Sequence, residues 1–444
     1  MKIVIIGYGT AGMTAAGYAR ITNRKAEIVV FEKRPYAIYH PCSMPDVIAR
    51  VLPSWDLVKE EAPRMPRFKV HTSTVVEEVD LDGKKVVARN LKTGEKITEE
   101  FDKLILATGS VPYVPRAIKI ADPSGVYVLK VVEDGVAIDE AASKYKSAVV
   151  VGGSALGIEV AHALRLRGLD VTLIEYCPSL MPGKLDPELA EEAKRKLEEE
   201  GVKVVLGKGV SLVEGPEGAK KVHAGDEVFE AGFVVMATGV RPEVTLAKQM
   251  GLEIGRTGGI KVDEHMRTSH PDVYAGGDNA EVKDLVTGEP TLSLFASTAL
   301  HMGRVAGINA AGGSATFKGV LNVWIVNLHG FMFGGVGCTE EMAKKKGLKV
   351  ISVAASAREQ PEGYPEAKEV TVKLVVDAET RRVLGGQAVG YGRVKEYLNL
   401  LSLLIAKQGT VDDLLEMEAA YTPSVCDIIH PLHAVANAAI RRLR

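Results

Sequence analysis

One thiol stands alone in the first 176 residues: Cys42, within the stretch Tyr39-His-Pro-Cys-Ser-Met-Pro45. A thiolate attacks sulfur and alternates between a reduced and a bonded form. A solitary one does so only with a partner brought from outside, as a mixed disulfide or a sulfenic acid. The remaining cysteines, Cys177, Cys338 and Cys426, follow neither a metal-type nor a disulfide-framework spacing, so no metal site is expected.

A second chemistry, phosphate binding, is written twice. In Gly7-Tyr-Gly9-Thr10-Ala11-Gly12 the first glycine permits a tight turn, the second lets backbone approach a pyrophosphate, and the third lets helix pack on strand. Glu32 ends the next strand, where it can accept from a ribose hydroxyl. The pattern returns about 145 residues later at Gly152-Gly153-Ser154-Ala-Leu-Gly157, with Ser154 in place of the middle glycine. Glu175 closes the strand that follows and is succeeded by Tyr176-Cys177-Pro178, without an arginine. A carboxylate there accepts from an unmodified 2′-hydroxyl and repels a 2′-phosphate, which favours NADH over NADPH.

Both cradles need a strand before them and a helix after them. The first is KIVIIG, then GTAGMTAAGYARI with small residues at helical spacing, then EIVVFE; the second is SAVVVGGSALGIEVAHALRLRG followed by DVTLIE. Each is a βαβ unit. Each module is later followed by a strand ending in Ala-Thr-Gly, at Ala107-Thr108-Gly109 and again at 237–239, where Gly239 closes the repeat. The charged segment LDPELAEEAKRKLEEEG, with Asp186 as N-cap and Gly201 as its stop, reads as a solvated helix. Beyond about residue 321 the pattern changes to alternating strands plus the helix VKEYLNLLSLLIAKQG, a third domain of α+β type whose apolar surplus suggests an interface.

Composition limits the partners. The 444 residues carry 57 acids against 55 basic side chains, so no strong field favours nucleic acid or an anionic bilayer. No stretch approaches the length of a membrane span, and a soluble cytoplasmic protein is expected.

Two such units, two Ala-Thr-Gly strands, the late Tyr274-Ala-Gly-Gly277-Asp278 and the distinct C-terminal domain together resemble the FAD-dependent pyridine nucleotide-disulfide oxidoreductase family. The resemblance spans nearly the whole chain. It implies an α/β fold of two Rossmann-like dinucleotide-binding domains, one inserted in the other, plus a C-terminal α+β dimerisation domain. Residues 1–113 and 243–320 would hold FAD, 114–242 would hold NADH, and 321–444 would form a homodimer. Asp278 then meets the flavin's ribitol or phosphate region beside Gly277. Lys33, next to Glu32, and Glu159, on the second cradle's helix, join the implied cofactor contacts.

Family members that reduce a disulfide within their own chain carry Cys-x4-Cys, whereas five residues after Cys42 stands Val47. The arrangement is similar to the single-cysteine branch, which includes coenzyme A-disulfide reductases, NADH oxidases and peroxidases, and NAD(P)H-dependent persulfide or sulfur reductases. There the cysteine contacts the flavin. The family usually continues Gly-x-Pro-Tyr, and this chain has Ser43-Met44-Pro45-Asp46, so the pocket beside the sulfur should differ. In that branch a partner-subunit tyrosine reaches the cysteine, and Tyr421 in EMEAAYTPSVCD matches it. Tyr364 in EGYPEA resembles a segment lining the coenzyme A channel, with Arg20 and Ser43 as further expected coenzyme A contacts. His430-Pro431 resembles the partner-supplied His-Pro base of lipoamide and glutathione reductases.

The expected activity is therefore an FAD-dependent NADH oxidoreductase reducing coenzyme A disulfide, persulfide or polysulfide substrates through Cys42, with Tyr421 or His430 handling the proton. The thiol should have a lowered pKa, and His40 could stabilise its thiolate. Three alternatives stand beside it: an NADH oxidase or peroxidase using oxygen or peroxide, an NADH-dependent reductase of a small electron-transfer protein, and a nucleotide-binding redox sensor. Cys426 as a resolving thiol from the partner is a further scheme.

Overall fold

The computed structural model describes residues 1–365 and 367–444. The opening strand Lys2–Ile6 buries Ile3, Val4 and Ile5 completely, as a parallel strand covered on both faces must. It pairs with Glu27–Phe31 on one side and Lys103–Leu106 on the other. Phe68–His71 and Val273–Ala275 complete a five-stranded parallel sheet. That last strand comes from far down the chain, so the first module closes only after the second has been made.

Helix α1 (Thr10–Thr22) lies on this sheet with Ala11, Ala15 and Ala19 buried. The small residues are used for close approach. A Cβ on Gly303 or Gly307 of the Ala296–Ala310 helix would lie 2.3 and 2.2 Å from the carbonyl oxygens of Ala11 and Ala15. This packing brings Gly277 against Ala11 and so carries the Gly-Asp motif to the start of α1.

The short helix α2 (Met44–Ile48) follows Cys42 directly. Its Met44, Val47 and Ile48 are at most 1% exposed and enter the hydrophobic core of the second module rather than the first. The second module has α3 (Val132–Lys144), α4 (Ala155–Leu166), α5 (Pro187–Glu199) and its own parallel sheet, in the order Val126–Tyr127, Phe233–Met236, Ser147–Val151, Asp170–Ile174, Val202–Val205. Both modules carry short antiparallel meanders, Thr74–Glu100 and Val210–Ala231, that the sequence reading did not anticipate.

The two Ala-Thr-Gly repeats have a shared structural purpose. Each ends a central strand and leads into one arm of an antiparallel ribbon, Ser110–Pro112 against Val240–Pro242, that joins the modules. Thr108 Oγ1 donates to Glu243 O at 2.6 Å and Thr238 Oγ1 to Tyr113 O at 2.7 Å. The latch is reciprocal, as a duplicated unit predicts.

The C-terminal domain is a five-stranded antiparallel sheet with the helices Val394–Ala406, Val411–Glu416 and Pro431–Leu443 on one face and the short helix Glu340–Lys345 against the other. Its Val394–Ala406 helix leaves Leu403 61% exposed, in keeping with the expected interface. The α5 segment is more than a solvated helix. Asp186 is 2% exposed and makes no side-chain cap; it accepts from Gln387 Nε2 at 2.7 Å and pairs with Lys373 at 3.0 Å, both in the C-terminal domain. A buried charge requires such partners, and here they dock α5 onto the third domain.

Candidate functional site

The first cradle is built by two close approaches. Gly7 has φ +94°, and a Cβ there would sit 2.2 Å from Ala107 O; one on Gly12 would sit 2.0 Å from Gly7 O. Around Gly9, by contrast, nothing lies within 4 Å of where a Cβ would be. Gly9 is the N-cap of α1 and offers no side-chain cap, so the first-turn N–H groups face open space suited to a phosphate. The second cradle repeats this. Gly152 has φ +115°, and a Cβ on Gly157 would sit 1.9 Å from Gly152 O. Ser154 is the exposed N-cap of α4 and also gives no cap bond, its Oγ turned 3.4 Å from Ala237 O.

The strand-terminal acids are held in matching ways. Tyr8 N–H donates to Glu32 Oε2 at 2.8 Å, and Gly153 N–H donates to Glu175, which also accepts from Cys177 N–H at 2.7 Å. Each acid braces the turn of its own cradle. Of the two residues after Glu32, Lys33 is exposed and Arg34 is turned inward. Arg34 Nε donates to Glu32 Oε1 at 2.7 Å, and its guanidinium lies 3.9 Å from the Tyr39 ring centre. Chain alternation past the strand end decides this, and only tertiary contacts reveal it.

At the Gly-Asp motif, Asp278 accepts from Ser110 Oγ at 2.6 Å and lies 3.6 Å from Lys130 Nζ. Asn279 Nδ2 donates to Leu106 O and Thr108 Oγ1, both at 3.0 Å, while its Oδ1 is buried without a partner. A buried orphan acceptor beside an open cradle fits a ligand donor. Ser110, Lys130 and Asn279 carried no motif and were missed in the sequence.

Cys42 occupies the single turn Pro41–Ser43 ahead of α2. Cys42 is exposed as a residue, yet partial burial of its thiol pushes it up from its ordinary value. Glu159 and Asp278 push it further, and Lys130 pulls it down. The expected lowering of the thiol is therefore not supplied by the chain itself. Those three charges come from α4, from the late Gly-Asp motif and from the approach to α3, so the tertiary fold gathers parts of both modules around Cys42. Glu159 is itself raised to about 7 by burial and the Asp46 charge. His40 is turned away, with Nε2 2.7 Å from Glu60 Oε1.

Other expected residues fare differently. Arg20 donates to the carbonyls of Arg24, Ala26, Pro66 and Arg67, which makes it a staple of the α1 terminus and not a phosphate ligand. Ser43 is half-buried beside Cys42, and Tyr364 is half-buried in a turn with its N–H on Pro361 O. Tyr421 is 50% exposed, close in sequence to Val425, Ile428 and Ile429, all exposed as well. His430 is a helix cap: Nδ1 accepts from Leu432 N–H at 3.2 Å, and the ring stands edge-on to Tyr397. Burial, then His433 and Arg393, lower it to about 4. Cys338 is 1% exposed and pushed up to about 12 by burial. Cys426 Sγ points at Ala420 O, 3.2 Å away.

With this geometry in place, the comparisons are informative. Residues 1–303 match the model of the pyridine nucleotide-disulphide oxidoreductases, and 327–432 match that family's dimerisation domain. An NADH oxidase of Methanocaldococcus jannaschii is 37% identical, covering 100% of this chain and 99% of its own. A CoA-dependent NAD(P)H sulfur oxidoreductase of Pyrococcus furiosus is 33% identical over 98% of each. The structure of an NAD-dependent persulfide reductase from A. fulgidus superposes with a TM-score of 0.96 at 34% identity, covering all of this chain and 83% of that one. Among the described residues no helix is long and apolar enough to cross a membrane. Two cradles, the Gly-Asp motif and full-length similarity converge, and the chain belongs to the pyridine nucleotide-disulphide oxidoreductase family, an oxidoreductase group using FAD and NAD(P)H.

Proposed function

We propose that this chain is an FAD-dependent NADH oxidoreductase that reduces coenzyme A disulfide, persulfide or polysulfide through Cys42 alone. The observation that carries the reading is the position of that thiol: Cys42 lies on a segment leaving the first module's sheet, in the turn ahead of α2, whose Met44, Val47 and Ile48 are buried in the second module's core. Support comes from the CoA-dependent and persulfide-reducing names among the relatives. The first cradle, with Glu32 and Asp278, fits FAD, and the second, with Glu175, fits NADH.

FAD, when bound, supplies the two-electron link between nicotinamide and sulfur. The chain's own residues do the rest. The Cys42 thiolate attacks the outer sulfur of a coenzyme A persulfide, forming a Cys42 persulfide and expelling the coenzyme A thiolate. Two electrons and a proton then release hydrosulfide and restore the thiol. Lys130 favours the thiolate, while Glu159, poised near 7, is suited to carry a proton beside it. Tyr421 of the partner is retained for the acceptor side of the dimer.

The test is anaerobic NADH oxidation with coenzyme A persulfide, comparing the natural chain with Cys42→Ser, together with intact mass before and after reduction. Loss of sulfur turnover with FAD retained is expected, together with a reducible Cys42 adduct that weighs one sulfur atom with coenzyme A persulfide and one coenzyme A with coenzyme A disulfide. A serine variant that reduces persulfide at an unchanged rate ends the proposal. A second reading, NADH oxidase, rests on the 37% identical relative of that name; NADH-dependent oxygen consumption in an aerated assay without persulfide that outpaces the anaerobic persulfide reduction would select it.

A further inference from the structure

We propose that His162, Glu200 and His329 form a binding site for a divalent transition-metal ion, zinc by preference, that clamps the nicotinamide-nucleotide module to the C-terminal domain. No motif spacing joins these residues, and the sequence reading expected no metal; the fold alone assembles them. His162 is on α4, Glu200 is the C-cap of α5, and His329 sits in the turn between strands Trp324–Leu328 and Phe331–Gly337.

One ligand atom from each of the three lies within 4.8 Å of the others. The two imidazoles stand edge to face, with ring centres 5.0 Å apart at 81°. His162 is 6% exposed, and its Nε2 has no hydrogen-bond partner among the described residues. A buried imidazole nitrogen without a partner is costly, and a metal ion is one group that would satisfy it. His329 adopts φ +49° ahead of Gly330 at φ +90°, the left-handed positions of a tight two-residue hairpin turn.

The donor set decides the ion. Two imidazoles and one carboxylate suit zinc, cobalt or nickel over calcium or magnesium, and three protein ligands leave a fourth tetrahedral position for water. Glu200 is half-buried and already paired with Lys196 at 2.6 Å, and this lysine is the competitor for the carboxylate. The ion would enter from the exposed His329 side. It would also complete a symmetrical arrangement: the start of α5 is tied to the C-terminal domain through Asp186 and Lys373, and the metal would tie its end.

The test uses FAD-loaded protein stripped with a chelator, then dialysed against zinc chloride and, separately, cobalt chloride. One zinc per chain, visible ligand-field bands with cobalt, and a zinc-dependent rise in melting temperature are expected. His329→Ala changes an exposed residue, so folding should survive, and it should weaken zinc by at least about ten-fold and abolish the melting shift. Cys42→Ser should leave zinc binding intact. No zinc bound to the natural chain, or His329→Ala binding as tightly as the natural chain, would overturn the proposal; zinc lost in Cys42→Ser would move the ion to the thiol and overturn it equally.

Discussion

Lys130 Nζ lies 3.6 Å from Asp278 Oδ2, and Ser110 Oγ holds the same carboxylate oxygen at 2.6 Å. The lysine precedes α3, in the inserted module, and the aspartate closes the module around it. Their proximity therefore fixes one module against the other beside Cys42. Because Lys130 draws the thiol downward, Lys130→Met should raise the Cys42 pKa. Alkylation of the apoprotein by iodoacetamide at pH 8 should slow by roughly two- to five-fold, the size of a partly screened charge. An unchanged rate would remove Lys130 from the thiol's environment.

Glu159 acts with the opposite sign. Its carboxylate raises the thiol and titrates near 7, so Glu159→Gln removes a negative charge that matters above that pH. Alkylation of Cys42 should accelerate by roughly two- to five-fold at pH 8 and differ little at pH 6, where Glu159 is largely protonated. A difference that persists unchanged at pH 6 would contradict the assignment.

Asp272 is held near 2 by Lys103 and Lys84, which tie the late strand of the first sheet to its neighbour. A folded-state value below the unfolded one contributes stability that is full above about pH 4 and disappears as pH falls toward 2. Its side chain is 20% exposed, so solvent screening reduces the effect to about 1–2 kcal/mol. Urea unfolding of Asp272→Asn should show that loss at pH 6, with the gap narrowing in acid. A constant gap at all pH values would refute the linkage.

Lys373 is 2% exposed among Asp186, Glu188 and Glu340. Lys373→Met keeps the volume and strands Asp186, also 2% exposed, without its counter-charge. A loss of about 3–5 kcal/mol is expected, read as a lowered melting temperature, with recovery in the Lys373→Met, Asp186→Asn double variant. Absence of recovery would mean that the two charges are not coupled.

The placement of residues inside each element was legible because periodicity and glycine chemistry are local. Gly12 and Gly157 had to be glycine for backbone contacts within one βαβ unit, while Gly7 and Gly152, read from the same local motif, meet the distant carbonyls of Ala107 and Ala237; small residues in GTAGMTAAGYARI announced a close-packed helix. Arg34 turns inward and Lys33 outward, and the partner that holds Arg34 there, the Tyr39 ring, is set by the fold past the strand end. Arg20 and His430 were read by chemical type, while their actual partners are backbone groups: carbonyls up to 47 residues away for one, and a helix start for the other.

From its sequence alone this chain declared two glycine cradles, an acid at the end of each following strand, a lone thiol and an appended domain, since each is marked by residue types at short, fixed spacing. Only the folded structure decided what surrounds that thiol. Met44, Val47 and Ile48 bury themselves in the second module's core, and the α1 packing carries Asp278 to the same place. Long-range apolar burial and close helix contact draw together residues more than two hundred positions apart, and no spacing rule encodes that.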